Sequence, residues 1–347
     1  MNDFSDAPSR LDERESYYSE LGQQSLAPLW VSLARLVPPS PQPTAQAFAW
    51  KYSEIRGHLL TAGKLITAEE AERRVLVLEN PSLAGQSRIT DTLYAGLQLI
   101  LPGEVAPAHR HVQSALRFAI EGEGAYTAVN GERVSMSPGD FIITPAWTWH
   151  DHGSDSSGPV VWLDGLDVPF IDFLKAGFRE QYEQSAQIAH RTEGQARLRF
   201  GSGMLRPSDR PTNSSPLFKY PYDQTKAALT LISETEEIDP HRGFEIRYIN
   251  PTTGGDALPT ISAGMRFLPD GFKTAPYRST DSSVIVLVEG GLRAIVGDKE
   301  ITLSPKDVLA IPAWAPVTLE ASGDTVLFNF SDAPVHQKLG LWREERS

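Results

Sequence analysis

Residues 122–150, GEGAYTAVNGERVSMSPGDFIITPAWTWH, are answered by residues 290–317, GGLRAIVGDKEITLSPKDVLAIPAWAPV, with one residue deleted. Both stretches carry Ser-Pro-x-Asp, at 137–140 and 304–307, followed by Pro-Ala-Trp at 145–147 and 312–314. The strands flanking these motifs keep phase, so the chain reads as two copies of one unit. That unit is a β domain. Short apolar or alternating runs at 75–78, 93–101, 116–120, 126–129, 141–144 and 160–163 are divided by Gly, Pro, Asn and Asp, the pattern of an all-β sandwich or barrel.

Outward from the first copy, the period changes. Leu21, Leu26, Leu29, Trp30, Leu33 and Leu36 recur at helical steps until Pro38-Pro39, which predicts helix from residue 1 to about 36. A second helical region is expected from Ser53 to Arg74, with Thr67-Ala68-Glu69-Glu70 as a capping box that restarts it. Between the copies a helix is expected over Ile171 to Tyr182, followed by a connection rich in proline and serine through Pro207, Pro211 and Pro216.

The 347 residues hold 32 Lys+Arg against 44 Asp+Glu and no cysteine. A net charge of −12 argues against nucleic acid as a partner, because phosphate binding needs a basic stripe. Zero cysteine rules out disulfides and thiolate metal sites, so any metal must be held by histidine and carboxylate. No run approaches the length of a membrane span, and charges at Asp3, Asp6, Arg10 and Asp12 stand where a signal peptide would need an apolar core. A cytoplasmic protein with no membrane association is expected.

Histidine is then the residue to follow. Four of the eight lie between 109 and 152. His109 and His111 are two apart, so on a strand they project from one face and can meet one ion. His150 follows after a hairpin's worth of chain, and an antiparallel neighbour could bring it beside that pair.

Gly103, five residues, His109-x-His111, then Gly139, five residues, Pro145-x-Trp147-x-x-His150 resembles the two cupin motifs, with Trp147 where the usual pattern has glycine. The glutamate that usually follows the second histidine is missing, since Ala115 and Leu116 occupy its place. Three neutral imidazoles leave about three positions open on a six-coordinate ion, which suits an oxygenase. Arg73 to Pro81, Gln113 to Phe118 and Thr144 to Gly153 (TPAWTWHDHG) sharpen the likeness, and nearly the whole chain resembles the gentisate 1,2-dioxygenase family.

That resemblance implies a mainly β bicupin: two double-stranded β-helix, or jelly-roll, barrels with N-terminal and linking helices. It implies about one Fe(II) per chain, held by His109, His111 and His150, a homotetramer, and ring opening of 2,5-dihydroxybenzoate to maleylpyruvate with O₂. The expected organisation is an N-terminal helical arm over 1–74, a metal-binding cupin over 75–170, a linker arm over 171–230, and a second cupin over 231–347. In the second copy Tyr277, Ser279 and Val317 align with the three histidines, so that barrel is expected to hold no such metal and to be structural.

Strand parity proposes the remaining site. If residue 115 faces the barrel interior, so does Arg117, and an inward arginine is costly unless it meets an anion. Tyr94, Gly96 and Gln98 share one strand face, with Gly96 leaving room for a flat ring. The family resemblance likewise implies Arg73, Gln98, Arg117, His152 and Asp164 as substrate-site residues. His152 is the candidate for proton transfer, and Trp147 and Trp149 are expected in the pocket wall or core, where with Tyr94 they suggest an aromatic guest. The expected substrates are a small aromatic carboxylate and O₂. Salicylate or 1-hydroxy-2-naphthoate is the alternative substrate, and a non-catalytic ligand-binding bicupin the alternative class.

Overall fold

The computed structural model describes residues 7–347, which form two compact units, one ending at Gln42 and the other running from Pro43 to Ser347. In the first unit the expected helix is two helices, Ala7–Gln23 and Leu29–Leu36. Pro28 accounts for the break: it lacks an N–H and disfavours helical backbone in the residue before it, and it serves as N-cap of the second helix. Residues 1–6 of the expected helix lie outside the described residues.

The second unit is mainly β, as the repeat requires. In the first cupin six strands form one sheet, in the order Lys219–Tyr220, Phe141–Thr144, Ala115–Glu121, Val160–Leu166, Tyr94–Ile100, Val75–Val77. Five form the facing sheet, Arg179–Gln181, Val105–His111, His150–Ser154, Ala125–Val129, Glu132–Ser135. In the second cupin a single nine-stranded sheet is continuous, because the long strands Ser283–Val296 and Val317–Ser331 run through both faces of the barrel.

The repeated Ser-Pro-x-Asp explains how the arms attach. Asp140 accepts from Ser137 N–H at 2.8 Å and Asp307 from Ser304 N–H at 2.9 Å, closing equivalent turns. Each aspartate also receives the first N–H of an arm helix, an orphan donor that a carboxylate satisfies well: Tyr222 N to Asp140 Oδ1 at 3.0 Å, and Tyr52 N to Asp307 Oδ1 at 2.9 Å. The arms are therefore exchanged. Helix Tyr52–Leu65, which precedes the first cupin, is pinned to the second, and strand Phe48–Trp50 pairs there with Val308–Ile311. Helix Tyr222–Thr235, which precedes the second cupin, is pinned to the first, where Lys219–Tyr220 pairs with Phe141–Ile142. Asp167 and Asp332 repeat the exchange, each taking a backbone N–H of its own cupin (Ser114, Ser282) and a hydroxyl of the other (Thr260, Thr92).

Three expectations shift. The arm over 1–74 is not purely helical, since it contributes Phe48–Trp50. The capping box at Thr67 and Glu70 is present, but its helix ends at Ala71 because Glu72 takes φ +52°. The helix expected over Ile171–Tyr182 is a short helix Val168–Phe173 and a strand Arg179–Gln181, because Lys175 at φ +54° turns the chain and the following residues find free edge groups on the histidine strand. Boundaries drawn at 170 and 230 consequently fall inside helices.

Between the barrels lies a shared apolar core. Phe118 stacks on Phe328 with centroids 4.1 Å apart, and Phe141 on Tyr248 at 4.4 Å. Phe118 faces this core, so its neighbour Arg117 faces the barrel interior, by the two-residue period of a strand.

Candidate metal centre

Register builds the site. His109 pairs directly with His150 across the ladder between Val105–His111 and His150–Ser154, and the ring centroids of His109, His111 and His150 lie 4.6 to 5.4 Å apart. One ligand atom from each falls within 4.8 Å of the others. His111 Nδ1 lies 2.9 Å from Gln113 O and His150 Nδ1 3.0 Å from Thr148 O. A carbonyl can only accept, so Nδ1 carries the proton in both rings and Nε2 keeps its lone pair. His109 has a buried Nδ1 with no hydrogen-bond partner among the described residues, while its Nε2 lies 3.5 Å from Arg73 Nη2. Burial, reinforced by Arg73 and Arg117, holds all three well below the usual histidine range, His111 at about 4. The imidazoles are thus neutral at pH 7, the state that binds a divalent ion. Neutral nitrogen donors suit iron, zinc, copper or nickel better than magnesium or calcium.

The histidines open on a cavity of about 520 Å³ whose walls include Arg73, Tyr94, Gln98, Arg117 and Asp164. Arg117 is 3 % exposed. Its Nη1 donates to Thr144 Oγ1, and its Nε lies 3.5 Å from Asp164 Oδ1. Asp164 also accepts from Trp162 Nε1 at 3.1 Å, and burial raises its carboxyl to about 6. Arg73 donates to Glu72 O at 2.9 Å, and burial next to Arg117 lowers it to about 9. Gly96 departs from expectation: it does not line the cavity, and a Cβ there would stand 2.4 Å from Val75 Cγ1 and 3.1 Å from Leu76 O and the Tyr94 hydroxyl, so the glycine serves close strand packing and leaves no room for a ring. Every substrate residue expected from sequence, with the exception of Gly96 and His152, lines this cavity.

His152 sits deeper. It is fully buried, its Nδ1 lies 2.9 Å from Thr127 Oγ1, and its Nε2 has no partner among the described residues. Trp147 and Trp149 depart from expectation. Neither lines the cavity; they hold Arg110 between them, with its guanidinium 4.5 and 4.6 Å from their ring centroids. The departure of Trp147 from the usual glycine is also accounted for: it adopts φ +61°, and Trp314 repeats it at +62°. A left-handed residue is needed there, and both turns are secured by the Trp N–H, which donates to His111 O and to Ser279 O, each at 2.7 Å.

Sequence reasoning missed Glu72, Phe178 and Arg179 in the cavity wall, with Glu72 and Arg179 paired to one another. The signal was available in the repeat. Asp167-Val168-Pro169 and Asp332-Ala333-Pro334 begin equivalent short helices, each followed by a glycine and a closing strand.

The second barrel reproduces the backbone without the ligands. Tyr277 pairs with Val317 as His109 pairs with His150, and Arg278 lies over Trp314 as Arg110 lies over Trp147.

The Cupin domain model matches residues 96–166. Gentisate 1,2-dioxygenase 1 of Aquipseudomonas alcaligenes is 48 % identical over 346 residues, 99 % of each chain, and gentisate 1,2-dioxygenase of Streptomyces sp. is 39 % identical, also over 99 % of each. A crystal structure of salicylate 1,2-dioxygenase from Pseudoaminobacter salicylatoxidans with gentisate superposes with a TM-score of 0.89 at 35 % identity, covering 96 % of this chain and 94 % of that one. With full-length relatives at this level and the cupin barrel that carries three facing histidines, the chain belongs to the gentisate 1,2-dioxygenase family.

Proposed function

We propose that this protein is an Fe(II)-dependent dioxygenase that converts gentisate and O₂ to maleylpyruvate, breaking the ring bond between the carboxylate-bearing carbon and its ortho-hydroxylated neighbour. One observation carries the substrate class. The cavity beside the three histidines holds Arg73 and Arg117 against Asp164, while Glu72 and Arg179 pair with one another. These side chains leave one positive charge over, to which a bound divalent ion would add its own, in a space that a single aromatic ring fits, so the site calls for an anionic aromatic such as a carboxylate.

His109, His111 and His150 would hold the iron, about one per chain. When bound, it supplies about three open coordination positions and the reducing power that O₂ requires. The remaining work belongs to the chain. Arg117 and Arg73 orient the carboxylate, and the ring lies against Tyr94. Gln98 and Asp164 offer hydrogen bonds to ring hydroxyls. His152, fully buried behind His150 and off the cavity wall, does not reach the ring hydroxyls directly, so its part in proton transfer is that of a relay.

A homotetramer fits the exposed apolar residues of helix Leu29–Leu36, where Trp30 and Leu36 are more than half exposed; sedimentation velocity reads this directly. No helix among the described residues is long and apolar enough to cross a membrane.

Anaerobic titration with gentisate, salicylate, 1-hydroxy-2-naphthoate and catechol, followed by O₂ uptake and product absorbance, tests the function. Gentisate should turn over fastest, because its para hydroxyl donates electron density to the ring. Equal turnover of salicylate would move the assignment to the salicylate enzymes, and activity on catechol would remove the carboxylate argument.

A further inference from the structure

The second cupin has closed the floor of its barrel and kept its mouth. Ladder registers give the correspondence: Asp164 faces Gly96 and Arg117, and Asn329 faces Gly264 and Ile285. At depth three of the first barrel's polar groups have apolar counterparts, with Ile285 at the place of Arg117, Val317 at that of His150 and Leu319 at that of His152, all buried in one cluster, whereas Asp164 is answered by the polar Asn329. A barrel retained only for packing would fill from floor to rim in this way. The rim does the opposite. Glu245 stands where the first barrel has Val75, Ser283 where it has Ala115, Ser331 where it has Leu166, and Arg266 where it has Gln98. Together they enclose a cavity of about 350 Å³ with predominantly polar walls.

The wall chemistry selects the guest. The cavity's arginines are already answered: Arg266 by Glu245 at 2.8 Å, Arg242 by Glu245 at 3.2 Å and Glu344 at 2.6 Å, and Arg247 by Asp256 at 3.6 Å. No arginine is left to call for an anion, and three of them disfavour a cation. What is unmet is hydrogen bonding. Asp281 Oδ1 and Asn329 Oδ1 have no partner among the described residues, nor has the donor Arg242 Nε. Ser262 and Ser283 add hydroxyls that both donate and accept, while those of Ser279 and Ser331 lie against the Asp281 carboxyl and leave its Oδ1 free.

We propose that this cavity is a second ligand site, separate from the metal centre, for a neutral polyhydroxylated molecule about the size of a monosaccharide. Its hydroxyls donate to Asp281 and Asn329 and accept from the arginine and serine donors, and the volume lies at the lower end of ordinary small-molecule pockets.

The test uses iron-loaded full-length enzyme and ligand-observed NMR with aldopyranoses and glycerol, against sodium acetate and ethylammonium as charged controls. The expected result is saturable binding of at least one aldopyranose that saturating gentisate does not displace. Asn329→Leu and Asp281→Leu should each weaken it about tenfold, the loss of roughly one hydrogen bond, with gentisate turnover unchanged. Should either variant fail to fold, the wild-type panel and the other variant still decide. Absence of saturable binding by every sugar and glycerol would overturn the proposal, as the signature of a cavity that holds water only. So would stronger binding of either charged control, or sugar binding that both variants leave intact.

Discussion

Replacing Arg117 by Met separates a substrate-binding arginine from a structural one. The guanidinium is buried, with Asp164 as its ion-pair partner at 3.5 Å, Arg73 as a nearby like charge and an Nε that lacks a hydrogen-bond partner among the described residues. If the substrate carboxylate completes this arrangement, the variant loses a charge-assisted hydrogen bond worth about 1.5–3 kcal/mol. It also leaves Asp164 without its compensating cation and facing the incoming anion. Together these should cost about 2–4 kcal/mol in kcat/KM for gentisate, roughly thirty- to a thousandfold. Iron content should stay at the wild-type level, since Arg117 is not a ligand. Stability would fall as well, because breaking a buried pair strands a charge. The double variant Arg117→Met/Asp164→Asn therefore serves as the control: it should recover melting temperature yet remain as slow as the single variant in kcat/KM. Steady-state kinetics by O₂ uptake, metal analysis and thermal melts are the three readouts. A folded, iron-replete Arg117→Met enzyme with wild-type kcat/KM would refute the carboxylate-binding role.

Metal analysis of His111→Ala should find most of the iron gone, whereas Ser279→Ala at the equivalent place in the second barrel should keep it; full occupancy in the first or loss in the second would contradict a single-site chain. Asp167 supplies a pH signature away from the metal. Burial raises its carboxyl to about 6 in the folded protein, above an unfolded value near 3.9. Its folded form therefore holds the proton more tightly, so its contribution is most favourable below about pH 4, is lost as pH rises to about 6, and costs roughly 3 kcal/mol above that. Asp167→Asn cannot titrate, so urea unfolding of the metal-free variant should show it gaining by about that amount relative to wild type between pH 4 and 7. A difference independent of pH would mean that Asp167 ionises normally.

The parts of this molecule that were legible in sequence are those where residue type and period act together. His109, His111 and Arg117 fall on strand faces that a period of two predicts, and which face is inward follows once the cupin resemblance places residue 115 in the barrel interior. The arm exchange was not legible. Asp140 and Asp307 were visible as repeated letters, but nothing local states that each caps a helix belonging to the other half of the chain. The strand Arg179–Gln181 was misread as helix because its partner, the histidine strand, lies about seventy residues away, and pairing overrode local preference. His152 shares the parity of His150, but depth along a barrel axis is not encoded by parity, so its position behind His150 and off the cavity wall is not legible in sequence.

The two barrels show what carries the chemistry. Trp147 and Trp314 hold the same left-handed turn, Arg110 and Arg278 the same stacking, and Asp140 and Asp307 the same cap. These shared residues fix the backbone, and the backbone alone brings positions 109 and 150, or 277 and 317, face to face. Whether a metal centre forms there then depends on the side chains at those positions, because a pair of imidazoles and a tyrosine-valine pair satisfy the same ladder. In the first barrel the neutral histidines keep lone pairs that an ion completes, and Arg117, though paired with Asp164, keeps an Nε that an anion can complete. In the second, apolar residues at the same depth remove that demand, and the barrel folds without either.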